Sequence, residues 1–237
     1  VEQGGLIPTA ISTIPTFPYN YCQIFTNSFG VDDSLKATLQ YTGKELPRQQ
    51  EANLFRHKAQ MEGAAIYGNR ASGTGTEGLP LYKTGGLLSI ITTHTDSFTT
   101  GKLDFATFSA FLRDHALATG TQKKFCFANR SAMSALMNVA AGNIRITQGE
   151  IKEYGLNFAQ WVSPWGTINF LQTDSIRESK EKFIFIEPQY WKMRVLQSTH
   201  LKVAIQETNR MADAASYITE AGYQYAPEQT GAVLSGS

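Results

Sequence analysis

The sequence has little charge of either sign. Lysine and arginine number 21, aspartate and glutamate 20, and together they make up 17% of the 237 residues, against about 25% in an ordinary soluble domain. The net charge of +1 excludes a dedicated nucleic-acid binder, which carries a basic excess or stripe. Long apolar runs are missing as well. Runs such as Leu87–Ile91, interrupted by Ser89, and Phe183–Ile186 are far below the roughly 20 residues that span a bilayer. Only two cysteines occur, Cys22 and Cys126. They have no Cys or His neighbour at ligand spacing, so a structural zinc site of about four close ligands is excluded. Two free thiols fit a reducing compartment. What is present is 42% hydrophobic and 11% aromatic residues, enough for a real core, so a wholly disordered chain is excluded. A weakly charged surface is hard to keep monomeric, which is a first sign of association.

Motifs for chemistry are equally sparse. Gly73-Thr74-Gly75-Thr76-Glu77-Gly78 spells G-x-G-x-x-G, but that fingerprint needs a strand before it and a helix after it. Here it follows a helical pattern and precedes Leu79-Pro80, so it reads as a loop. His57, His94, His115 and His200 include no i, i+4 pair and no H-E-x-x-H. His57 falls on the polar side of a long helical pattern and reads as solvated or interfacial, and His115 reads the same way. Ser72 and Ser89 lack the G-x-S-x-G elbow. Asp32-Asp33 reads as a solvated turn, because acid–base work needs two differently perturbed carboxylates. Asn129-Arg130-Ser131 spells a glycosylation acceptor with no other sign of secretion. Lys36, Lys44 and Arg48 form a small basic group, read as a solvated face. No catalytic, cofactor-binding or metal-binding residue is assigned, and no cofactor is expected.

The pattern along the chain is more informative. Residues 1–18 contain Pro8, Pro15 and Pro18 among Leu6, Ile7, Ile11, Ile14 and Phe17. They read as an extended apolar arm, without the hydrophobic stretch of a signal peptide. Residues 21–26 and 37–42 are β-like runs around a turn-rich connector and read as a long hairpin. Thr42 and Glu45 fit a capping box, and Pro47 suits a first turn. A helix is therefore expected from Lys44 or Glu45 to about Ile66, roughly 30 Å long, with Leu54, Phe55, Ala59, Met61, Ala65 and Ile66 as its apolar stripe. Residues 68–86 read as a glycine-rich loop, and 87–93 as a strand or short buried segment. A helix over 104–119 is capped by Asp104 and stopped by Gly120. A strand over 124–128 precedes a helix over 131–141 that Asn129 can cap. Residues 143–165 read as short strands and loops. Further strands are expected over 167–172, 182–187, within 189–208, and over 216–225. The order of hairpin, long helix, strands, helices and strands indicates an α+β fold.

An apolar arm, a protruding hairpin and a long helix, with little core of their own, are liabilities in a monomer. This order resembles the major capsid proteins of tailed bacteriophages, with their Hong Kong 97-like fold. Residues 20–42 look like the extended loop. Glu45 through Ile66-Tyr67-Gly68-Asn69 looks like the spine helix and the turn that ends it, followed by Thr84-Gly85-Gly86-Leu87-Leu88. Residues 125–137, 165–170 and 183–188 look like axial-domain elements, and 216–223 like a return strand. The resemblance implies an N-terminal arm (1–18), an extended β-hairpin loop (19–43), a peripheral domain with the spine helix (44–100), an axial domain (101–194) and a return to the peripheral domain (195–237). It implies a virion protein, not an enzyme. Such a protein would assemble in the host bacterial cytoplasm into hexamers and pentamers of an icosahedral head around double-stranded DNA. Expected partners are copies of itself, portal, scaffolding and decoration proteins, and packaged DNA without base recognition, with no membrane. The absence of an initiator Met fits removal of an N-terminal scaffolding segment, as many relatives undergo, and equally a later starting point. Lys36 matches by type alone the covalent loop cross-link of some relatives. An encapsulin-like compartment shell is the alternative, and an unrelated α+β enzyme a more distant one.

Overall fold

Residues 23–32 alternate in burial, with Phe25, Phe29 and Val31 turned inward and Ile24 outward, as a half-buried strand requires. The computed structural model describes residues 17–38, 44–143, 159–177, 180–206 and 211–237. The chain runs through β1 (Gln23–Asp32), α1 (Asp33–Ala37), α2 (Glu45–Tyr67), β2 (Ala71–Thr74), β3 (Pro80–Lys83), α3 (Leu87–Ile90) and β4 (Thr95–Phe98). It continues through α4 (Phe105–Phe111) with a π-helical turn (Leu112–Ala116), β5 (Lys123–Ala128), α5 (Arg130–Asn143), β6 (Ala159–Ser163) and β7 (Gly166–Gln172). It closes with β8 (Lys182–Ile186), β9 (Trp191–Val203), β10 (Ala212–Tyr225) and β11 (Ala232–Gly236).

Two sheets organise these elements. The first is antiparallel in the order β1-β10-β9, with Gln23 opposite Ala221 and Asp32 opposite Ala212. The second is mixed, in the order β4-β11-β8-β5-β7-β6, with β4/β11 and β5/β7 parallel. β8 lies inside the second sheet and is buried on both faces, which is why it reads as an unbroken apolar run. Phe183 and Phe185 enter one core with Phe108, Phe111, Leu112, Leu136 and Phe170 beneath α4 and α5. Ile184 and Ile186 enter the other with Leu87, Ile91, Ile176, Tyr225 and Val233. Rings in the first core meet at 5.9 Å (Phe108–Phe183) and 5.5 Å (Phe111–Phe185), within the range that favours aromatic pairs. Asp104 caps α4 by accepting from Thr107 N at 2.8 Å, and Asn129 Oδ1 accepts from Ala132 N at 3.0 Å at the start of α5.

Several expectations are corrected. Residues 23–26 pair with residues 218–221 of β10. The stretch expected to turn is the second half of β1, whose partner β10 lies nearly two hundred residues away. Asp33–Ala37 is helical, and residues 39–42 lie outside the described residues. The glycine-rich loop contains a two-stranded hairpin, β2–β3, closed by Gly75 N to Leu79 O at 2.8 Å. Of the two readings of residues 87–93, the short buried segment holds at Leu87 and Ile91, and the strand does not, because residues 87–90 form a helical turn. Gly86 packs on the end of α2, where a Cβ would meet Ala64 O at 2.5 Å and Gly68 N at 2.7 Å. Only glycine permits that approach, and it sets the entry to α3. Residues 95–98 and 232–236, grouped by the expected boundaries with the peripheral residues, are strands of the six-stranded sheet. Backbone pairing joins them, and one-dimensional order does not record it.

Candidate functional site

α2 lies across the three-stranded sheet, and its contact face is not the apolar stripe. Glu45, Asn53 and His57 are the buried residues of the helix. Phe55, expected in the stripe, is 74% exposed, while His57, expected in solvent, is 0% exposed. The sheet explains the inversion. It presents Asn27 from β1 and Thr219 from β10, and His57 Nδ1 lies 2.8 Å from Asn27 Oδ1 while Nε2 lies 2.7 Å from Thr219 Oγ1. Thr219 Oγ1 also shares a hydrogen bond with Thr199 Oγ1 of β9 at 2.8 Å. One imidazole thus links the helix to a polar seam that runs across all three strands. Burial holds the His57 pKa below the usual histidine value, which keeps the ring neutral. At the helix start, Arg48 and Gln49 donate to the Glu45 carboxylate and hold its pKa below the usual carboxylate value. At the other end, Tyr223 OH donates to Met61 O at 2.8 Å.

Beyond α2, β9 forms the edge of its sheet and is exposed on both faces over residues 192–199. It carries Met193, Val195, Leu196 and Val203 as exposed apolar side chains, with Lys192, Arg194 and Lys202 between them. The β2–β3 hairpin exposes Leu79, Leu81 and Tyr82.

The other singled-out residues fall as follows. Lys36 is paired with Asp33 at 2.8 Å and with Asp213, which raises its pKa, the Asp213 hydrogen bond first. The Asn129 amide is buried, donating to Lys180 O at 2.6 Å and capping α5, so the apparent glycosylation acceptor is a structural residue. The G-x-G-x-x-G glycines lie in the β2–β3 hairpin, where no helix N-terminus awaits a phosphate. Cys126 is buried, and burial pushes its thiol pKa well up, while Cys22 is half-buried. Lys124 is buried, donates to Thr119 O (2.8 Å) and Thr230 O (2.6 Å), and faces Glu187 at 3.6 Å. His94 and His115, unrelated by sequence spacing, meet with Nδ1 atoms 3.5 Å apart. No spacing rule reveals that meeting, because one lies in a loop and the other in the π-helical turn. Among the described residues, no helix is long and apolar enough to cross a membrane.

The sequence model of the SU10 major capsid protein family matches residues 1–237. The chain is similar to the major capsid protein of Pseudomonas phage PaMx41, with 25% identity over 173 residues. That match covers 68% of this chain and 41% of the relative, so the chain spans less than half of that protein's length. Among solved structures, the fold is similar to the holo-SrpI encapsulin complex from Synechococcus elongatus, with a TM-score of 0.65, 11% identity, and coverage of 90% of this chain and 73% of that one. It is also similar to a structure of Gordonia phage Cozz, with a TM-score of 0.61, 13% identity, and coverage of 98% and 79%. The architecture is therefore the α+β, Hong Kong 97-like fold that phage capsids and encapsulins share. With the sequence match extending from the first residue to the last, the chain belongs to the SU10 major capsid protein family.

Proposed function

We propose that this chain is a building block of a tailed-phage head: it self-assembles into hexamers and pentamers that tile an icosahedral shell around double-stranded DNA. The family match across residues 1–237 carries this reading. The exposed apolar side chains of β9 and of the β2–β3 hairpin give it physical sense, because neighbouring subunits would cover them. In this reading α2 and the three-stranded sheet form the peripheral domain, and the six-stranded sheet with α4 and α5 forms the axial domain. Residues 1–18 serve as the arm in the same reading. Contacts are heterologous within a ring, so they close by rotation and not by pairing. The role is geometric and not catalytic. Its setting is the virion, with packaged DNA touching the inner face electrostatically and with portal, scaffolding and decoration proteins as further partners.

Electron microscopy of the native particle and of the purified protein tests this. Uniform icosahedral shells that join tails and contain DNA are expected. Small shells loaded with a protein cargo would establish the encapsulin-like alternative, which the similarity to the Synechococcus shell keeps in view. A stable monomer or dimer at high concentration would sink both.

A further inference from the structure

His94 and His115 stand 21 positions apart, and the fold turns their rings toward each other. His94 lies in the loop ahead of β4, and His115 in the π-helical turn after α4, its ring 5.3 Å from that of Phe111. The Nδ1 atoms are 3.5 Å apart while the ring centroids are 5.7 Å apart at 67°. The two nitrogens are thus the points of approach, and the rings do not stack. A nitrogen–nitrogen separation of 3.5 Å is long for a hydrogen bond, which prefers about 2.7–3.2 Å. It fits two ligands of one tetrahedral ion instead: zinc–nitrogen bonds of about 2.05 Å at a tetrahedral angle place the nitrogens about 3.4 Å apart.

The neighbouring charges are otherwise engaged. The Glu228 carboxylate accepts from Thr92 N (2.7 Å) and Thr93 N (2.6 Å), which fixes the loop that carries His94. Lys124 is held by Thr119 O and Thr230 O, and Asp114 by Arg113. Among the described residues, no third His, Cys, Asp or Glu completes a metal cluster.

We propose that His94 and His115 form a two-imidazole site for a borderline divalent transition ion such as Zn²⁺, which pins the loop ahead of β4 to the π-helical turn. Two imidazoles suit Zn²⁺, Ni²⁺ and Cu²⁺ and not Mg²⁺ or Ca²⁺. Water fills the remaining positions, so the site binds more weakly than a structural zinc centre with four protein ligands. The inference does not depend on the shell reading.

The test is titration of the chelator-treated chain with ZnCl₂, followed by calorimetry and thermal melting. One saturable site per chain is expected, with Tm rising by about 5 °C at roughly a hundredfold excess over Kd. Affinity should fall at least about tenfold on moving from about pH 7.5 to about pH 5.5, because protonated imidazoles cannot ligate. His115→Gln and His94→Gln should each weaken binding by a similar factor, while His200→Gln, on the exposed edge strand, should leave it unchanged. Metal-free melting curves establish that each variant folds, and the pH comparison on the unaltered chain needs no variant. MgCl₂ should give no shift. Absence of saturable Zn²⁺ binding, or binding by the His94 and His115 variants as tight as that of the unaltered chain, would overturn the proposal and leave the pair a plain imidazole contact.

Discussion

Replacing His57 with leucine isolates the polar seam beneath α2. The side chains are of similar size and leucine favours helix, so the change strands partners and creates little cavity. Two groups lose their bond. Thr219 Oγ1 belongs to a residue only 1% exposed, and Asn27 is half-buried. A stranded buried polar group costs about 1–3 kcal/mol. Asn27 can recover part of that from water, and Thr219 keeps its bond to Thr199, so the combined loss is about 2–4 kcal/mol. In a chain of this length that lowers Tm by roughly 5–15 °C. Differential scanning calorimetry of the purified chain reads it directly. The variant should also respond less to acid. Burial depresses the His57 pKa, so below about pH 6.5 the unfolded chain takes up a proton that the folded chain refuses. The stabilisation from this group is therefore complete above that pH and is lost as pH falls toward the depressed folded value. His94, depressed for the same leading reason, contributes with the same sign and remains in the variant. The His57→Leu chain should show a shallower fall in Tm between about pH 6.5 and pH 5. A melting temperature equal to that of the parent, with the same acid dependence, would refute a stabilising role for the seam.

Other perturbations separate folding from assembly. Phe55→Ser removes an exposed ring from α2, so subunit stability should change by less than about 0.5 kcal/mol, while particle yield on a sucrose gradient should drop; intact yield would show that this helix face is not covered in the shell. Gly120→Ala should cost about 3 kcal/mol in chemical denaturation. Gly120 has φ +84°, and a Cβ there would lie 2.0 Å from Glu187 Oε1, the carboxylate that faces buried Lys124. A cost near zero would mean that the junction relaxes freely. Ala59→Pro, in the middle of α2, should cost about 3 kcal/mol or more and abolish particles in electron micrographs. Normal shells would remove α2 from the assembly framework.

Local chemistry was legible where one element decides its own fate. The Asp104 and Asn129 caps and the apolar run of β8 are short-range signals, and each has its expected structure; the capping box expected for α2 does not form, because Lys44 is the N-cap without a side-chain cap bond, Arg48 and Gln49 take the Glu45 carboxylate, and Thr42 lies outside the described residues. The seam under α2 was not legible. A histidine among Arg56 and Lys58 looks solvated by pattern, and only the arrival of Asn27 and Thr219 from β1 and β10 makes its position polar and dry. Residues 27–33 carry turn-forming side chains, yet the ladder with residues 212–217 outweighs that local preference because it completes a buried sheet face. The pairing of His94 with His115 was hidden for a similar reason, since ligand spacing rules cover residues on one element and these two lie on separate segments.

The amino-acid sequence by itself determined the α+β class, the long helix, the helix caps, the scarcity of charge and the family likeness. Those follow from periodicity, capping and composition, which act over a few residues or over the whole chain. The tertiary structure alone decided that β1 pairs with β10, that residues 95–98 and 232–236 join the six-stranded sheet, and that α2 turns His57 inward and Phe55 outward. Each of these depends on free energy shared between residues far apart in the chain, through backbone pairing and desolvated hydrogen bonds that no single segment contains.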